Sequence, residues 1–395
     1  MKVLMIGQLP KEVGGNYTTG AAMVVYELSK QHVDGIRLFT YATNTREKNA
    51  EYSSEYTYQY IGYKKDILGL LKDMVCHPQK TLREWQHYIR YDHQNPLRLS
   101  FYKTNIRRAI KLTRPDLIHV HSIGNVSSTR FAMDGMRIPL LLTCHGIFYR
   151  GDASDVKGHD IYQGNLPLCD YYTGLTEESR YEFTDILGVP STKYTIIPNG
   201  VDTSKFYFSD ESRKKIREEF EVGEQTTVFL TIASLQERKG QLIFLKMLEQ
   251  MNLDYQYWLI GIGQHKATIE EYVSSHHLYR RVKLLGYRNS DELFKYYSAA
   301  DIYAHSSWKE GQALSEIEAY STGMPALVNI AIKGTLIDDP QQENYCLVDF
   351  KSPDFDAIKN WISKASKYKR QSRQKYDWRN IAERYASLYK ELVKN

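Results

Sequence analysis

Residues 301–330 read DIYAHSSWKEGQALSEIEAYSTGMPALVNI, and this stretch predicts a strand, a loop, a helix and a second strand. The helix should run from about Ala313 to Thr322, because Gly323 and Pro325 form a stop signal directly after it. Strands that alternate with helices in this way are typical of a parallel, doubly wound α/β sheet.

Two glutamates, Glu310 and Glu318, lie on either side of the predicted helix start. On a helical wheel Leu314, Ile317 and Ser321 form one stripe. We expect Glu318 to lie on the same inward stripe, where its carboxylate would need hydrogen-bond donors. Two interpretations follow. Glu318 could pair with a buried arginine, or it could bind a sugar diol while the N–H groups of the helix start bind phosphate.

The same alternation of strand and helix runs through the whole chain. The predicted strands lie at 3–6, 36–42, 116–124, 140–148, the start of 171–180, 195–202, 228–233, 255–263, 282–287, 301–307 and 326–330. A charged stretch at 209–224 separates the two halves, and an amphipathic helix closes the pattern at 376–392. We therefore predict two doubly wound α/β domains with a boundary near residue 200.

The composition fits a soluble globular protein of two domains. The chain has 395 residues, of which 42% are hydrophobic and 25% are charged. There is no apolar run of about 18 residues, so we expect no transmembrane helix. The four cysteines are scattered without a CxxC pair, which indicates a reducing cytosol and no zinc site.

The positive charge of the chain is concentrated between residues 61 and 115. This basic segment holds twelve Lys or Arg residues and four acids, whereas the whole chain has a net charge of +5. Apolar residues are interleaved with the charges. Such a segment could rest on an anionic membrane surface, or it could be a solvated helical face. No recognised nucleic-acid motif accompanies the charge, so we do not expect nucleic acid as a partner.

Histidines follow two strands of the first half. His119 and His121 have strand spacing and should point to the same face, and His145 comes directly after the strand at 140–148. The ends of parallel strands are where α/β proteins place ligands. We interpret His119 as a core or loop-anchoring residue. No acid or thiol follows at a useful spacing, so we expect no metal site.

Several short motifs lie in a specific order along nearly the whole chain. They are Gly14–Gly15, IHVHS (118–122), TCHG (143–146), IIPNGVD (196–202), ERKG (237–240), ADIYAHSS (300–307), the glutamate pair Glu310 and Glu318, GMP (323–325) and the closing helix with Trp378 and Tyr385. In this order and spacing the chain resembles the retaining nucleotide-sugar glycosyltransferases of family 4, which have the GT-B fold.

The resemblance implies two Rossmann-like domains that face a cleft. The first domain, 1–200 with the crossover helix 376–395, would hold mainly the acceptor, and the second domain, 201–375, would hold the donor. The implied reaction moves a hexose from a nucleoside-diphosphate sugar to a hydroxyl group with retention. The donor is expected to carry UDP, and neither a metal nor another cofactor is expected.

The resemblance also implies roles for individual residues. The expected catalytic residues are Glu310 beside the transferred sugar, His145 near the sugar and β-phosphate, and Lys239 with Arg238 at the diphosphate. Glu318 would bind the ribose hydroxyls. The other expected contacts of the nucleotide-sugar are Gly15, Ser234, Gly286, Tyr287, Arg288, Gly311, Gln312, Ala313 and Leu314.

Two positions depart from the family pattern. Ser234 stands where an arginine is common, and Arg238 can supply the missing charge. Gln312–Ala313 replaces an aromatic-glycine pair in the loop that touches the sugar, so the donor sugar of better-known relatives does not transfer to this chain.

The sequence thus predicts a cytoplasmic hexosyltransferase that acts on a glycan or lipid-linked glycan, at the inner face of the cell membrane if the basic segment binds there. We expect a place in the synthesis of bacterial surface polysaccharide or glycoconjugate. Two alternatives remain open: a nucleotide-sugar epimerase of the same architecture, and a catalytically silent binding subunit.

Overall fold

The computed structural model describes residues 1–15, 19–44, 59–61, 66–146, 156–336 and 344–394. The chain forms two compact units. The first unit contains Met1–Pro198 and Trp378–Asn395, and the second unit contains Asn199–Asp377. Each unit has a parallel sheet and its own buried core, which confirms the prediction of two α/β folds.

Seven parallel strands form the sheet of the first unit. In chain order they are β1 (Lys2–Gly7), β2 (Arg37–Ala42), β3 (Gln59–Ile61), β4 (Leu117–His121), β5 (Leu140–Thr143), β6 (Tyr171–Gly174) and β7 (Tyr194–Ile196). Their order across the sheet is β3-β2-β1-β4-β5-β6-β7. The sequence analysis did not predict β3. All residues of β4 and β5 are buried, as expected for central strands covered on both faces.

Helices connect these parallel strands. They are α1 (Gly20–Lys30), α2 (Ile67–Cys76), α3 (Pro78–His87), α4 (Pro96–Thr113), α5 (Val126–Met133), α6 (Val156–Asn165) and α7 (Glu177–Tyr181). From Ile67 to Thr113 the basic segment is mostly helical. It forms α2, α3 and α4, with a π-helical turn at Tyr88–Asp92. Lys64 and Lys65 of this segment lie outside the described residues.

Six parallel strands form the sheet of the second unit. They are β8 (Thr227–Ile232), β9 (Tyr255–Ile260), β10 (Val282–Gly286), β11 (Ile302–His305), β12 (Ala326–Asn329) and β13 (Tyr345–Val348). Their order is β10-β9-β8-β11-β12-β13. The helices are α8 (Asp210–Glu219), α9 (Gln241–Gln250), α10 (Lys266–Ser275), α11 (Ser290–Ala299), α12 (Leu314–Ser321) and α13 (Phe355–Ala365).

In each sheet successive strands are first added towards one edge and then, from the centre, towards the other edge. In the first unit the reversal lies between β1 and β4, and in the second it lies between β8 and β11. Loops that leave two adjacent strands in opposite directions open a crevice at the carboxyl ends of those strands, which is where open α/β sheets bind ligands. The strand order therefore predicts a site at the loops after β8 and β11.

The last helix, α14 (Trp378–Lys394), belongs to the first unit although it follows the second unit in the chain. Its buried residues are Trp378, Ile381, Ala382, Tyr385, Ala386, Tyr389 and Leu392. They form the apolar face of an amphipathic helix, as the spacing in the sequence predicts. None of the described helices is long and apolar enough to span a membrane.

A buried cluster of charges joins α2, α3 and α4. Lys103 Nζ lies 2.6 Å from Asp73 Oδ2 and 2.5 Å from Glu84 Oε2, and all three side chains are buried. Arg107 adds an ion pair to Asp73 at 2.7 Å. Burial raises the pKa of Asp73, but the hydrogen bonds from Arg107 and Lys103 outweigh this effect and hold the pKa below its usual value. The Asp73 side chain therefore stays ionised in the folded protein.

We expect Lys103→Met to lower the free energy of unfolding by about 3–5 kcal/mol, because Asp73 and Glu84 lose their shared ammonium partner in a buried place. Urea denaturation at neutral pH measures the change. Lys72→Met, on the exposed face of α2, is the matched control and should change the value by less than about 0.5 kcal/mol. Equal effects of the two substitutions would contradict a stabilising role of the cluster.

Candidate active site

Two loops of the second unit meet at the carboxyl ends of β8 and β11. The loop after β8 contains the 3₁₀ turn Glu237–Lys239 and ends at Gly240, whose φ is +69°. A Cβ atom at Gly240 would lie 2.3 Å from the carbonyl oxygen of Ser306, so glycine is what allows the loops to approach this closely. Ser306 Oγ also donates a hydrogen bond to the Lys239 carbonyl at 2.9 Å.

The carboxylate of Glu310 lies in the loop after β11, where only 8% of its side chain is exposed. Its Oε1 forms an ion pair with Lys239 Nζ. Arg238 Nη1 lies 3.8 Å from Oε2, and His305 Nε2 lies 3.6 Å from Oε1. The structure thus brings three of the predicted catalytic residues together, and it adds His305 to them.

The nitrogen groups around Glu310 control its protonation. Burial raises the pKa of Glu310, but the contact with His305 and the charge of Lys239 outweigh it and hold the pKa well below its usual value. Burial lowers the pKa of Lys239, and the charge of Glu310 opposes that shift. At neutral pH Glu310 is therefore an anion, which can stabilise positive charge but cannot donate a proton.

A second buried carboxylate, that of Glu316, lies behind His305. Its Oε2 is 3.8 Å from His305 Nδ1, and Tyr345 donates a hydrogen bond to its Oε1 at 3.4 Å. His305 therefore lies between two carboxylates, those of Glu310 and Glu316. The sequence analysis missed both His305 and Glu316, although Glu316 shares a helical stripe with Ala319 and Tyr320 that could have indicated its burial.

The inward stripe of α12 differs from the predicted one. The buried residues of this helix are Glu316, Ile317, Ala319, Tyr320 and Ser321. Leu314 and Glu318, the other members of the predicted stripe, are half-buried. The helix packs through the face centred on Ile317 and Tyr320, and Leu314 and Glu318 lie at the edge of that face.

The partner of Glu318 is a tyrosine and not a buried arginine. Tyr297 Oη donates hydrogen bonds to Glu318 Oε2 at 2.7 Å and to the Ser315 carbonyl at 3.0 Å. Burial raises the pKa of Glu318 to about 7, and the Tyr297 hydrogen bond opposes this rise only in part. Burial and the charges of Glu316, Glu310 and Glu318 raise the pKa of the Tyr303 hydroxyl well above its usual value.

The start of α12 has no side-chain cap, because its N-cap residue is Ala313. Leu314 and Ser315 are the first two residues of the helix, so their backbone N–H groups have no partner within it, and the helix dipole there favours an anion. Gln312, one of the predicted sugar contacts, is joined to another segment of the second unit. It is buried, and its Oε1 accepts a hydrogen bond from the Asn199 N–H at 2.7 Å.

The remaining predicted donor contacts of the second unit lie in neighbouring loops. Gly286 ends β10, and its carbonyl accepts a hydrogen bond from the Gly261 N–H at 2.8 Å. Tyr287 is 53% exposed. Arg288 Nε donates a hydrogen bond to Tyr296 Oη at 2.9 Å. Ser234 is exposed in the loop after β8.

Two predicted site residues, Gly15 and His145, belong to the first unit and not to the second. Gly15 follows β1, and a Cβ atom there would lie 1.9 Å from the Leu9 carbonyl oxygen, so the tight turn alone requires glycine. His145 follows β5, and its Nε2 lies 2.9 Å from His121 Nδ1 with the two rings stacked. Burial lowers the pKa of His145 to about 4. This histidine is therefore neutral at neutral pH.

The burial of His119 confirms the prediction that it is a core residue. Its ring is fully buried, 4.1 Å from the ring of His121, which shows that both residues point to one face of β4. Its Nδ1 lies 2.7 Å from Tyr389 Oη on α14, and its Nε2 lies 2.6 Å from Thr143 Oγ1. Within the described residues there is no group of three or more His, Cys, Asp or Glu residues that could hold a metal ion.

Two family profiles match most of the chain. The profile described as Glycosyltransferase Family 4 matches residues 18–205, and the profile described as Glycosyl transferases group 1 matches residues 212–378. The first covers most of the unit with His145, and the second covers the loops with Lys239 and Glu310.

Characterised relatives are similar at low identity. The UDP-Gal:alpha-D-GlcNAc-diphosphoundecaprenol alpha-1,3-galactosyltransferase of Escherichia coli is 25% identical, over 57% of this chain and 60% of the relative. The alpha-monoglucosyldiacylglycerol synthase of Acholeplasma laidlawii is 22% identical, over 58% of this chain and 62% of the relative. The alignments thus span less than two thirds of these relatives.

Solved structures match over the full length. Sucrose-phosphate synthase from Thermosynechococcus elongatus superimposes with a TM-score of 0.75 at 16% identity, over 100% of both chains. HepE of Anabaena, solved in complex with UDP, gives a TM-score of 0.71 at 18% identity, over 99% of this chain and 100% of that one. At these identities the likeness shows a shared fold.

The raised pKa of Glu318 makes a prediction about stability. A carboxyl group whose folded-state pKa is raised stabilises the fold below its unfolded pKa, and this contribution is lost as the pH rises through about 7. Relative to Glu318→Gln, the free energy of unfolding of the wild type should therefore fall by about 2 kcal/mol between about pH 5 and about pH 8.

Urea denaturation across this pH range measures the difference. Glu292→Gln, at an exposed glutamate of α11, is the matched control, and its curve should run parallel to that of the wild type. If the Glu318→Gln curve also ran parallel, the carboxyl group would titrate at its ordinary pKa.

Proposed function

Because this chain belongs to the GT-B glycosyltransferases of family 4, we propose that it transfers a hexose from a nucleoside-diphosphate sugar to a hydroxyl group with retention at the anomeric carbon. The observation that carries the proposal is the ionised Glu310, paired with Lys239 at the reversal point of the second sheet. Glu318 follows on the helix that starts beside it.

The chemistry requires stabilisation of the departing diphosphate. Lys239 has three N–H donors, so it can keep its bond to Glu310 and still bind a phosphate oxygen. Arg238 and the backbone N–H groups at the start of α12 add two further anion-binding groups. Such preorganised donors are worth most in a site from which water is excluded.

Glu310 stabilises the sugar, on the other side of the bond that breaks. As the bond between sugar and phosphate lengthens, positive charge develops on the sugar ring. An anion that stays ionised because of Lys239 and His305 stabilises that charge. Because its low pKa makes the Glu310 carboxylate a weak base, the departing phosphate, whose oxygen takes over the bonding electrons, is the group that accepts the proton of the acceptor hydroxyl.

The remaining donor contacts are proposals of the same kind. Glu318 binds the ribose hydroxyls, and the loop at Gly286, Tyr287 and Arg288 holds the base. UDP is the proposed nucleotide, supported by the solved complexes of HepE with UDP and with UDP-glucose. On the first unit, Gly15 and His145 are the proposed contacts of the diphosphate and the sugar.

We propose a lipid-linked glycan as the acceptor. The names of two relatives support this proposal, since one acts on a diphosphoundecaprenol-linked sugar and the other makes a glucosyldiacylglycerol. An acceptor of this kind would place the enzyme in the cytoplasm, at the inner membrane face, in the synthesis of bacterial surface polysaccharide or glycoconjugate.

We expect Glu310→Gln to lower the rate of transfer at least about a hundredfold while the donor still binds, because the amide keeps the shape of the side chain but not its charge. Product analysis and donor calorimetry measure the two effects. Glu237→Gln, at an exposed glutamate of the neighbouring turn, should retain full activity. Full activity in Glu310→Gln would refute its role, and a free epimer formed from donor alone would identify an epimerase.

We expect Glu318→Ala to weaken donor binding about tenfold to a hundredfold, because two hydroxyl hydrogen bonds to a carboxylate are lost. Calorimetry with UDP-, GDP-, ADP- and dTDP-sugars measures this loss and identifies the nucleotide, for which UDP should bind most tightly. Glu292→Ala on α11 is the control. An unchanged affinity in Glu318→Ala would refute the ribose contact.

A further inference from the structure

The helix α2 exposes its apolar side chains and buries its acid. Only Leu70 and Asp73 of this helix are buried. Leu68 is 80% exposed and Val75 is 77% exposed, and Ile67, Leu71 and Met74 are also exposed. A surface helix of a soluble protein normally turns this apolar stripe towards the core.

The buried charge cluster determines this orientation. Asp73 pairs with Lys103 and Arg107 of α4, and its carbonyl accepts a hydrogen bond from Thr81 Oγ1 of α3 at 3.1 Å. Rotating the helix to bury Leu68 and Val75 would pull Asp73 out of this cluster. The outward apolar face is therefore fixed by the fold.

From α2 to the start of α4 the acidic side chains are buried and most of the basic side chains are exposed. Between residues 67 and 98, all of which the structure describes, the three acids Asp73, Glu84 and Asp92 are buried. Apart from histidines, the exposed charged residues of this range are all basic. They are Lys72, Arg83, Arg90 and Arg98. Between them lie further exposed apolar residues, namely Leu82, Ile89 and Leu97.

We propose that this α2 surface, formed by the exposed residues of 67–98, docks onto an anionic lipid bilayer. The apolar side chains enter the boundary between headgroups and acyl chains, and the lysine and arginine side chains bind lipid phosphates. The inference deepens the proposed function and rests on it for its biological purpose, because a lipid-linked acceptor lies at such a surface.

The charge pattern favours a bilayer over a second copy of the chain. In a symmetric dimer the same patch occurs on both sides of the interface. Lys72, Arg83, Arg90 and Arg98 would then face their own copies with no exposed acid of the patch to balance them. An anionic bilayer offers both an apolar layer and negative charge.

Flotation with vesicles tests the proposal on the full chain. The wild type should bind vesicles of phosphatidylcholine with phosphatidylglycerol, bind much less to phosphatidylcholine alone, and be released by salt, which shortens the range of charge interactions. Leu68→Ser with Val75→Ser should weaken binding about tenfold. Lys72→Glu with Arg83→Glu should weaken it by at least about tenfold.

Matched controls separate this surface from general effects. Leu112→Ser removes a leucine that is 69% exposed on α4, about 21 Å along the helix axis from Arg98. Lys214→Glu with Lys215→Glu reverses two exposed charges of α8. Both controls should bind vesicles within about twofold of the wild type. Circular dichroism and thermal unfolding confirm that every variant is folded.

Two results would overturn the proposal: wild type that does not bind anionic vesicles at low salt, or surface variants that bind as well as the wild type. A wild-type dimer that Leu68→Ser with Val75→Ser dissociates, without vesicle binding, would identify a self-interface instead. Hexose transfer to a water-soluble acceptor is measured in parallel. Transfer without vesicle binding would reject the membrane surface and leave the proposed function intact.

Discussion

The ion pair between Lys239 and Glu310 is the contact on which the proposed chemistry of the second unit depends. It forms because the sheet reverses between β8 and β11, so that two loops leave adjacent strands side by side. Gly240 lets those loops touch, and Ser306 ties them together. Without the pair, the pKa of this nearly buried carboxylate would rise, because burial alone favours its neutral form. The negative charge on which the proposed stabilisation of a sugar cation rests would then be easier to lose.

The two units share a parallel α/β sheet but differ in the charge of the residues at the carboxyl ends of their strands. In the second unit the loops present ions, and their mutual attraction holds them charged. In the first unit the rings of His119, His121 and His145 lie next to one another and are neutral, because burial lowers the pKa of each. A neutral imidazole can donate one hydrogen bond and accept one without attracting a counterion. The same parallel sheet thus supports either a charged or an uncharged site, depending on the residues in its loops.

The fold could be predicted from the sequence because apolar strand segments alternate regularly with helical spacing of apolar residues, and glycine or proline marks the ends. Lys239, Glu310 and Glu318 could be placed by their motifs, yet their partners could not. Glu316 was missed, since burial of a polar group depends on donors from distant segments, here Tyr345. The buried face of α2 could not be predicted either. Its apolar stripe predicts that the apolar side chains are buried, but the ion pairs of Asp73 bury the opposite face.

The helix α14 makes the first unit discontinuous in the chain. Tyr389 reaches His119, two residues that are 270 positions apart. During synthesis, residues 199–377 leave the ribosome as one continuous segment, whereas the first unit still lacks a helix that covers part of its core. The second unit can therefore finish folding before the first unit, although its residues are made later. The histidine stack acquires its last partner only when translation has passed the whole second unit.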